Sequence, residues 1–237
     1  MTPITSPEND LLKEVRKLTS RKWRDKLGRF VAEGEDLVDA AEAAGWQPVA
    51  KLVLPDSGLE GEEVMPHLMA ELSTLGSGTR VIGLFDARWA TDLGRRCVAL
   101  WGVGDPGNVG TVIRAAHAFG ASSVALGPQS ADPFSPKAVR ASMGAVFHVP
   151  VKRVKNLEEL PAPRLALVAR AGVPLTEAGA PASLLVGAER EGLPEELVAA
   201  CDATAHIPIA GESLNAAMAA TVALYEWTNR LEPSGPA

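Results

Sequence analysis

The chain has 237 residues, of which 46% are hydrophobic and 22% are charged, an ordinary composition for a globular protein. Its net charge of −6 argues against a protein that coats nucleic acid indiscriminately. The sequence has no apolar run near the roughly 20 residues that span a bilayer, and it does not begin with a secretory signal. The two cysteines, Cys97 and Cys201, have neither disulfide nor metal-ligand spacing. We therefore expect a cytoplasmic protein without membrane association and without a metal site.

The first third of the chain predicts a small α/β domain behind a short tail. Residues 1–10 are rich in Pro, Ser, Thr and acidic side chains, which predicts a disordered tail. Residues 11–90 predict a helix, a loop, a helix, a strand, a helix and a strand. The most distinct of these elements are a helix at 35–44, stopped by Gly45, and strands at 51–54 and 80–84. We place the domain at residues 11–92 and a linker at residues 91–96, which lack periodicity.

Basic residues cluster at the start of this domain. Within residues 11–30 the only acidic side chains are Glu14 and Asp25. The cations there are Lys13, Arg16, Lys17, Arg21, Lys22, Arg24, Lys26 and Arg29. Such a block neutralises several phosphates when it binds nucleic acid, although a solvated helix face explains it equally well.

From Cys97 onward, short apolar runs alternate with helical segments. The apolar runs are residues 97–101, 123–126, 165–168, 183–186 and 205–207. The predicted helices are residues 109–119, 136–143, 194–200 and 214–230. Strands of this type, separated by helices, predict a mostly parallel sheet covered on both faces. We place a second domain at residues 97–232.

Four segments of the second domain carry polar residues where strands run into loops or helices. The first, residues 105–120, places Asn108 at the positive start of a helix and Arg114 about one and a half turns further on. The second, residues 135–145, holds Arg140 among small residues that allow close backbone approach. Alone, these two patterns fit equally well a capped turn with a surface arginine and ordinary helix packing.

The third segment, residues 185–194, is a strand that runs into a glycine-rich loop. Gly187 would let a ligand approach the backbone, and Glu189 would lie at the carboxyl end of the strand, where open α/β sheets bind ligands. The fourth segment, residues 207–215, leads into the last helix, and its Asn215 is either a ligand contact or a helix cap. Neither segment is a dinucleotide fingerprint or a phosphate-binding P-loop.

Together and in this order, the four segments resemble the signature motifs of the SpoU family of RNA ribose 2′-O-methyltransferases, part of the SPOUT class. The resemblance covers most of residues 97–230, and residues 20–34 resemble the start of that family's RNA-substrate-binding domain. It implies an α/β fold with a C-terminal trefoil-knotted methyltransferase domain and a small N-terminal α/β domain that binds RNA. It also implies S-adenosyl-L-methionine as cofactor, structured RNA as substrate and a homodimer.

The resemblance also implies roles for individual residues. The implied catalytic residues are Arg114, Asn108, Glu189, Arg140 and Asn215. The implied cofactor contacts are Gly187, Ile207, Leu214, Val186 and Ile209. The expected RNA contacts are Lys22, Arg24 and Arg29. The small residues of the last helix fit either dimer packing or an internal core, and they are Ala216, Ala219, Ala220 and Ala223.

The resemblance also implies a base-like role for Arg114, but an arginine side chain keeps its proton far above neutral pH, so we do not expect Arg114 to act as a general base. We expect Arg114 instead to bind the phosphate next to the reacting ribose and to stabilise the alkoxide that develops on the ribose oxygen. Asn108 or Glu189 would orient it. Arg140 would add a second phosphate contact.

The RNA is expected to be 23S ribosomal RNA first and transfer RNA second. Two further readings are an RNA-binding protein of the same fold without catalysis and a Rossmann-type dehydrogenase. The presence of Asn108, Arg114, Glu189 and Asn215 together favours catalysis. The dehydrogenase hypothesis is disfavoured, because the sequence has neither the glycine fingerprint nor the acidic ribose partner that such enzymes use.

Overall fold

The computed structural model describes residues 3–74 and 78–231, and its contacts divide the chain into two compact units. The N-terminal unit consists of Met1–Arg88 and Asp132–Phe147. The C-terminal unit consists of Trp89–Ala131 and His148–Ala237. Residue 232, the predicted end of the second domain, lies outside the described residues. The domain bounds 11–92 and 97–232 remain predictions. Residues 132–147 fall within the second predicted domain, whereas the contacts assign them to the N-terminal unit.

The N-terminal unit is a four-stranded sheet with four helices before residue 88. In chain order its elements are α1 Asp10–Lys17, α2 Arg21–Leu27, β1 Arg29–Glu33, α3 Glu35–Ala43, β2 Ala50–Val53, β3 Glu62–Glu63, α4 Pro66–Leu72 and β4 Val81–Asp86. The strand order is β1-β4-β2-β3. Two of these strands were not predicted. β1 has three consecutive buried residues and so lacks the alternation of a half-exposed strand, and β3 is two residues long.

The expectation of a disordered tail is wrong for residues 3–10, while residues 1 and 2 lie outside the described part. The Ile4 amide donates to the Glu63 carbonyl at 2.7 Å, and the Ile4 carbonyl accepts from Met65 at 3.1 Å. The Ile4 side chain packs against the core of the unit. A single apolar residue in a polar stretch thus anchors the segment, which composition alone does not reveal.

Residues 132–147 form part of the N-terminal core through aromatic side chains. The Phe134 and Phe30 ring centroids are 4.7 Å apart, and Trp46 Nε1 donates to the Phe147 carbonyl at 2.8 Å. The helix within this segment is α6, Pro136–Ser142. Because α6 carries Arg140, this arginine belongs to the same unit as the basic segment.

The C-terminal unit is built on a seven-stranded sheet in which all paired strands are parallel. The strands are β5 Cys97–Trp101, β6 Ser123–Leu126, β7 Val151–Arg153, β8 Arg164–Val168, β9 Val173–Pro174, β10 Ser183–Gly187 and β11 Ala203–His206. The helices are α5 Pro106–Ala118, α7 Glu195–Ala199 and α8 Ala216–Leu231. The predicted α/β fold with a mostly parallel sheet is confirmed. The short strands β7 and β9 were not predicted.

The strand order β7-β6-β5-β10-β8-β11-β9 decides which loops meet. β5 and β10 are neighbours, and their residues from Cys97 paired with Ser183 to Trp101 paired with Gly187 run in register. Every residue of β10 is buried, as expected for a central strand covered on both faces. The carboxyl ends of β5, β10, β8 and β11 therefore share one edge of the sheet, where open α/β sheets bind their ligands.

Across residues 3–74 and 78–231, none of the helices combines the length and the apolar character needed to cross a membrane. In the same part of the chain, no three His, Cys, Asp or Glu side chains are arranged as metal ligands.

Candidate functional site

Three of the predicted polar residues meet at the carboxyl edge of the large sheet. Asn108 Nδ2 donates to Glu189 Oε1 at 2.6 Å, and Asn215 Nδ2 donates to Asn108 Oδ1 at 3.2 Å. The pairs are 81 and 107 positions apart in the sequence, so the sheet, rather than local structure, brings them together. The result is a continuous chain of hydrogen bonds from Asn215 through Asn108 to the carboxylate.

The start of α5 holds Asn108 in place. Asp105 caps the helix by accepting a hydrogen bond from the Asn108 amide at 3.0 Å, and Pro106 occupies the first helical position. Proline is favoured there because it has no N–H to satisfy and its φ suits a helix. The Asn108 side chain is thus free of the capping role and is used for Glu189 and Asn215.

Asn215 is both the helix cap and a member of the polar chain. Its Oδ1 accepts from the amides of Ala217 at 2.9 Å and Met218 at 3.3 Å, as an N-terminal cap of α8 does. This capping uses the side-chain oxygen and leaves the NH2 group to donate to Asn108. The two sequence interpretations of Asn215 are therefore compatible.

The loop after β10 folds back on itself, and Gly187 makes this fold possible. The Ala188 amide donates to the Gly192 carbonyl at 3.1 Å, and the Gly192 amide donates back at 3.0 Å. A Cβ on Gly187 would lie 2.2 Å from the Gly192 carbonyl carbon and 2.3 Å from the Leu193 nitrogen. The sequence predicted a ligand against this glycine, whereas in the structure the loop's own backbone fills that space.

A cavity of about 360 Å³ lies beside this loop, within the size range of small-molecule sites. All five predicted cofactor contacts line it: Val186, Gly187, Ile207, Ile209 and Leu214. Glu189 lines it too, so the polar chain ends at the cavity wall. Its walls are mainly aliphatic, which suits the faces of a flat heterocycle, and a carboxylate nearby favours a positively charged group.

Sequence reasoning missed several residues of this cavity. Leu167 and Val168 come from the end of β8, and Ser213 from the loop before α8. The first two could have been found, because β8 ends at the same sheet edge as its neighbour β10. Ser213 lies in the fourth motif segment, residues 207–215, two positions before the Asn215 that the sequence singled out.

Arg114 lies on an exposed part of α5, and within the described residues it has no hydrogen-bond or ion-pair partner. The expectation that Asn108 or Glu189 orients it is not met, since these two bond to each other. Arg114 is six positions after Asn108, which places it about 9 Å further along the helix and on a different side. The guanidinium is therefore available to a ligand from solvent.

Arg140 is exposed near the end of α6. In the N-terminal unit it lines a small cleft with Glu33, Thr74 and Val139. Arg140 thus lies in the same unit as the basic segment and within the second predicted motif, so it remains a candidate for contact with RNA.

Two of the three predicted RNA contacts have other partners. Arg24 is only 6% exposed, and its Nε donates to Asp132 Oδ2 at 2.7 Å. Its Nη1 donates to the carbonyls of Leu18 and Thr19, at 2.8 and 2.9 Å. The prediction that Arg24 contacts RNA is therefore wrong in this structure, because a buried guanidinium with these bonds cannot reach a phosphate.

Arg29 is also held by acidic residues, whereas Lys22 is not. Arg29 pairs with Glu14 at 2.9 Å and with Asp86 at 3.0 Å. Hydrogen bonds to Glu14 and then Asp86 raise the pKa of Arg29, as expected for a compensated cation. Lys22 is exposed and has no ion pair among the described residues. Of the three candidates, Lys22 alone presents an uncompensated charge.

The two faces of α8 differ in what they contact. The small residues Ala216, Ala220 and Ala223 are 4% exposed or less, so this face belongs to the internal core. The large apolar residues Met218, Val222 and Tyr225 are 60%, 42% and 55% exposed. Any helix packing with a second molecule would therefore use this outer face and not the small-residue face.

Comparison with known proteins gives two family matches. The SpoU rRNA Methylase family model matches residues 95–225, and the MRM3-like substrate binding domain model matches residues 9–83.

Individual relatives agree with these matches. The chain is 32% identical to the 23S rRNA (guanosine(2553)-2'-O)-methyltransferase RlmP of Bacillus subtilis (strain 168), over 95% of this chain and 98% of that protein. It is 36% identical to Ribosomal RNA small subunit methyltransferase G 2 of Syntrophobacter fumaroxidans, over 95% of this chain and 49% of that protein, so it spans about half of that relative. The crystal structure of the AdoMet-bound rRNA methyltransferase from Sinorhizobium meliloti matches with a TM-score of 0.84 and 33% identity, covering 97% of this chain and 98% of that one. The chain belongs to the SpoU rRNA methylase family.

Proposed function

We propose that the chain transfers a methyl group from S-adenosyl-L-methionine to a ribose 2′-hydroxyl of structured RNA, with 23S ribosomal RNA as the first candidate. The observation that carries the proposal is that Glu189 lines the cavity and also bonds Asn108. The chain of hydrogen bonds that begins at Asn215, next to α8, therefore ends at a cavity of cofactor size. The names of the Bacillus and Sinorhizobium relatives support both the cofactor and the ribosomal substrate.

The residues of the cavity fit the proposed cofactor. Aliphatic side chains, including Val186, Ile207 and Leu214, would pack against the adenine and the methionine chain. The turn from Gly187 to Gly192 lines the cavity. Glu189 is the only charged residue in the chain of hydrogen bonds that joins Asn215, Asn108 and Glu189. When bound, S-adenosyl-L-methionine supplies a methyl group already activated on a positively charged sulfur. The carboxylate of Glu189 would stabilise that positive charge.

The remaining work of the protein is to orient the ribose oxygen and to help it lose its proton. An arginine is a cation suited to an anion rather than a general base, so we assign Arg114 to the phosphate next to the reacting ribose, where it also stabilises the developing alkoxide. Its exposed position without a partner within the described residues leaves the planar guanidinium ready for a phosphate. Arg140 would add a phosphate contact from the N-terminal unit.

The proposal has three further parts, which are a homodimer, a trefoil knot and a cytoplasmic location. A homodimer is supported by the outer face of α8, where Met218, Val222 and Tyr225 are exposed. A trefoil knot in the C-terminal unit is supported by membership of the family. A cytoplasmic location is supported by the free thiols of Cys97 and Cys201.

The dimer proposal is tested by light scattering on the wild type and on Tyr225→Glu. The wild type is expected to be a dimer and the variant a monomer, because a charge in an apolar interface must be desolvated. Asp92→Asn, in an exposed loop, is the control. A monomeric wild type contradicts the dimer.

The enzyme proposal is tested by titrating the purified chain with S-adenosylhomocysteine in a calorimeter. We expect saturable binding, and then transfer of labelled methyl groups to protein-free 23S ribosomal RNA that lacks the modification. Mapping of the 2′-O-methyl positions identifies the nucleotide. Methyl transfer to transfer RNA alone would replace the substrate, binding without transfer would identify a non-catalytic relative, and no binding would end the assignment.

A further inference from the structure

Trp23 is the centre of a basic and aromatic surface on the N-terminal unit. The ring lies on α2, and the Lys17 ammonium at the end of α1 is 5.0 Å from its centroid. The Lys26 ammonium, on α2 itself, is 4.8 Å from the same centroid. Both lysines are exposed and Trp23 is half-buried. Cations at such distances are attracted by the negative face of the ring.

The positive charge of the basic segment is concentrated around this ring. Arg24 and Arg29, from the same segment, are held by carboxylates. In contrast, Lys17, Lys22 and Lys26 have no ion pair among the described residues. The segment therefore separates into buried or paired cations and three lysines without an ion pair among the described residues, and two of these, Lys17 and Lys26, lie over the Trp23 ring. We call Lys17, Lys22, Trp23 and Lys26 the Trp23 surface.

We propose that the Trp23 surface binds an unpaired nucleobase of the substrate RNA, with the indole stacking on the base and the lysines contacting the flanking phosphates. The proposal rests on the proposed function, since it concerns the same RNA. A nucleobase replaces an ammonium over the ring, and the flexible lysine stem lets the displaced charge reach a phosphate. Unpaired bases stack on aromatic rings and basic side chains follow the backbone, in a way that tolerates many sequences.

RNA fits this surface better than an acidic protein does. Three lysines alone would suit any polyanion, but the half-buried Trp23 ring beside Lys17 and Lys26 offers a flat apolar face. In a nucleic acid, each flat base is flanked by phosphates, so it has a partner for both the ring and the lysines. With a net charge of −6, the chain needs such a local concentration of positive charge to hold RNA.

The first experiment measures methyl transfer to unmodified, protein-free 23S ribosomal RNA by wild type, Trp23→Ala and Trp23→Phe. Trp23→Ala is expected to raise KM for RNA about tenfold, by loss of one stacked base, with kcat within about twofold. Trp23→Phe keeps an aromatic face and should stay within about threefold of the wild-type KM. Lys51→Ala is the control, because Lys51 is in the same unit but pairs with Glu42 at 2.9 Å. Binding of S-adenosylhomocysteine should be unchanged in all variants.

A second experiment tests the lysines and does not depend on the packing of the indole. In Lys17→Ala/Lys26→Ala, the slope of log KM against log salt should fall by about 1.5, as expected for two lost phosphate contacts. Ultraviolet cross-linking of the wild type to the same RNA should yield a nucleotide adduct on the peptide that contains Trp23.

The results separate this proposal from the proposed function. If the wild type transfers methyl groups but Trp23→Ala keeps the wild-type KM, the stacking proposal is overturned and the enzyme assignment stands. An equal loss in Trp23→Phe and Trp23→Ala overturns it too, since only packing would then explain the effect. An unchanged salt slope overturns the phosphate contacts. A wild type that transfers no methyl group to any RNA instead overturns the proposed function.

Discussion

The basic segment of the N-terminal unit and the first motif of the C-terminal unit each contain an arginine that looked functional in the sequence. Arg24 turns out to be buried and bonded to Asp132 and to two backbone carbonyls. Arg114 is exposed and has no partner among the described residues. The comparison teaches that an arginine's role is decided by what surrounds it, since both are equally charged and both lie within family motifs.

The largest expected effect is the loss of stability in Arg24→Ala. Removing this guanidinium leaves Asp132 buried, with the Phe134 amide at 3.1 Å as its remaining donor. Removing one partner of a buried ion pair lowers the free energy of unfolding by about 3–5 kcal/mol. Urea denaturation of Arg24→Ala should show this loss, while Arg21→Ala, at an exposed site, should change the free energy of unfolding by less than about 0.5 kcal/mol. A loss below about 1 kcal/mol in Arg24→Ala would mean that the pair does not hold the unit together.

The opposite pattern is expected for Arg114. Arg114→Ala should lower kcat about a hundredfold by loss of a charge that stabilises the transition state, with no change in the free energy of unfolding. Arg114→Lys keeps the charge without the planar fork and should recover part of the rate. Steady-state methyl transfer measures both, with Lys155→Ala as an exposed control on the same unit. Near-wild-type turnover in Arg114→Lys would show that two-point contact with a phosphate is not its role.

The loop beside the cavity, from Gly187 to Gly192, gives a smaller effect. Gly187→Ala places a Cβ 2.2 Å from the Gly192 carbonyl carbon, so the loop must move. We expect a loss of about 1–3 kcal/mol in stability from overpacking, together with weaker binding of S-adenosylhomocysteine. Gly179→Ala is the matched control, because its Cβ would have no atom within 4 Å. Calorimetry on both variants is the measurement, and equal binding by the two would separate this loop from the cofactor.

The smallest effect concerns Glu33 in the N-terminal unit. Burial raises the pKa of Glu33, but hydrogen bonds from Ser73, Thr74 and Thr79 outweigh it and hold the pKa below its ordinary value. A lowered folded-state pKa contributes stability above the unfolded-state pKa, and this contribution is lost as the pH falls through the folded-state pKa.

Glu33→Gln should therefore cost about 1 kcal/mol at pH 7, as for one set of hydrogen bonds. The difference from wild type should shrink as the pH falls through the lowered folded-state pKa of Glu33, where the wild-type carboxylate becomes protonated. Urea denaturation at pH 7 and pH 3.5 measures this change. A difference independent of pH would mean that packing and not charge is responsible.

The division of the chain also changes how a truncation should be designed. Deleting residues 1–90 would test whether the C-terminal part binds cofactor alone, but it would remove Phe30, which packs against Phe134. The remaining segment 132–147 would then expose apolar side chains that belong to the N-terminal core. Point variants such as Trp23→Ala therefore separate RNA binding from cofactor binding more cleanly.

Much of the C-terminal unit was predictable because its signals are local. Strand β5 was predicted at its observed bounds, and β10 within one residue of its end, since long buried strands form continuous apolar runs. Helix α5 was predicted from residue 109, three residues after its observed start at Pro106. In the N-terminal unit, β3 and the ordered segment around Ile4 were missed because each depends on a short pairing with a distant part of the chain.

By itself, the amino-acid sequence indicated the parallel sheet and the loops at its carboxyl edge, and its resemblance to a family pointed to five of the residues that line the cavity. Only the tertiary structure decided that Arg24 is a structural residue, that Arg140 belongs to the N-terminal unit and that Asn108 bonds Glu189. The physical reason is distance along the chain. Helix caps and apolar runs act over a few residues, whereas Arg24 meets its carboxylate across 108 positions, and no local pattern carries that information.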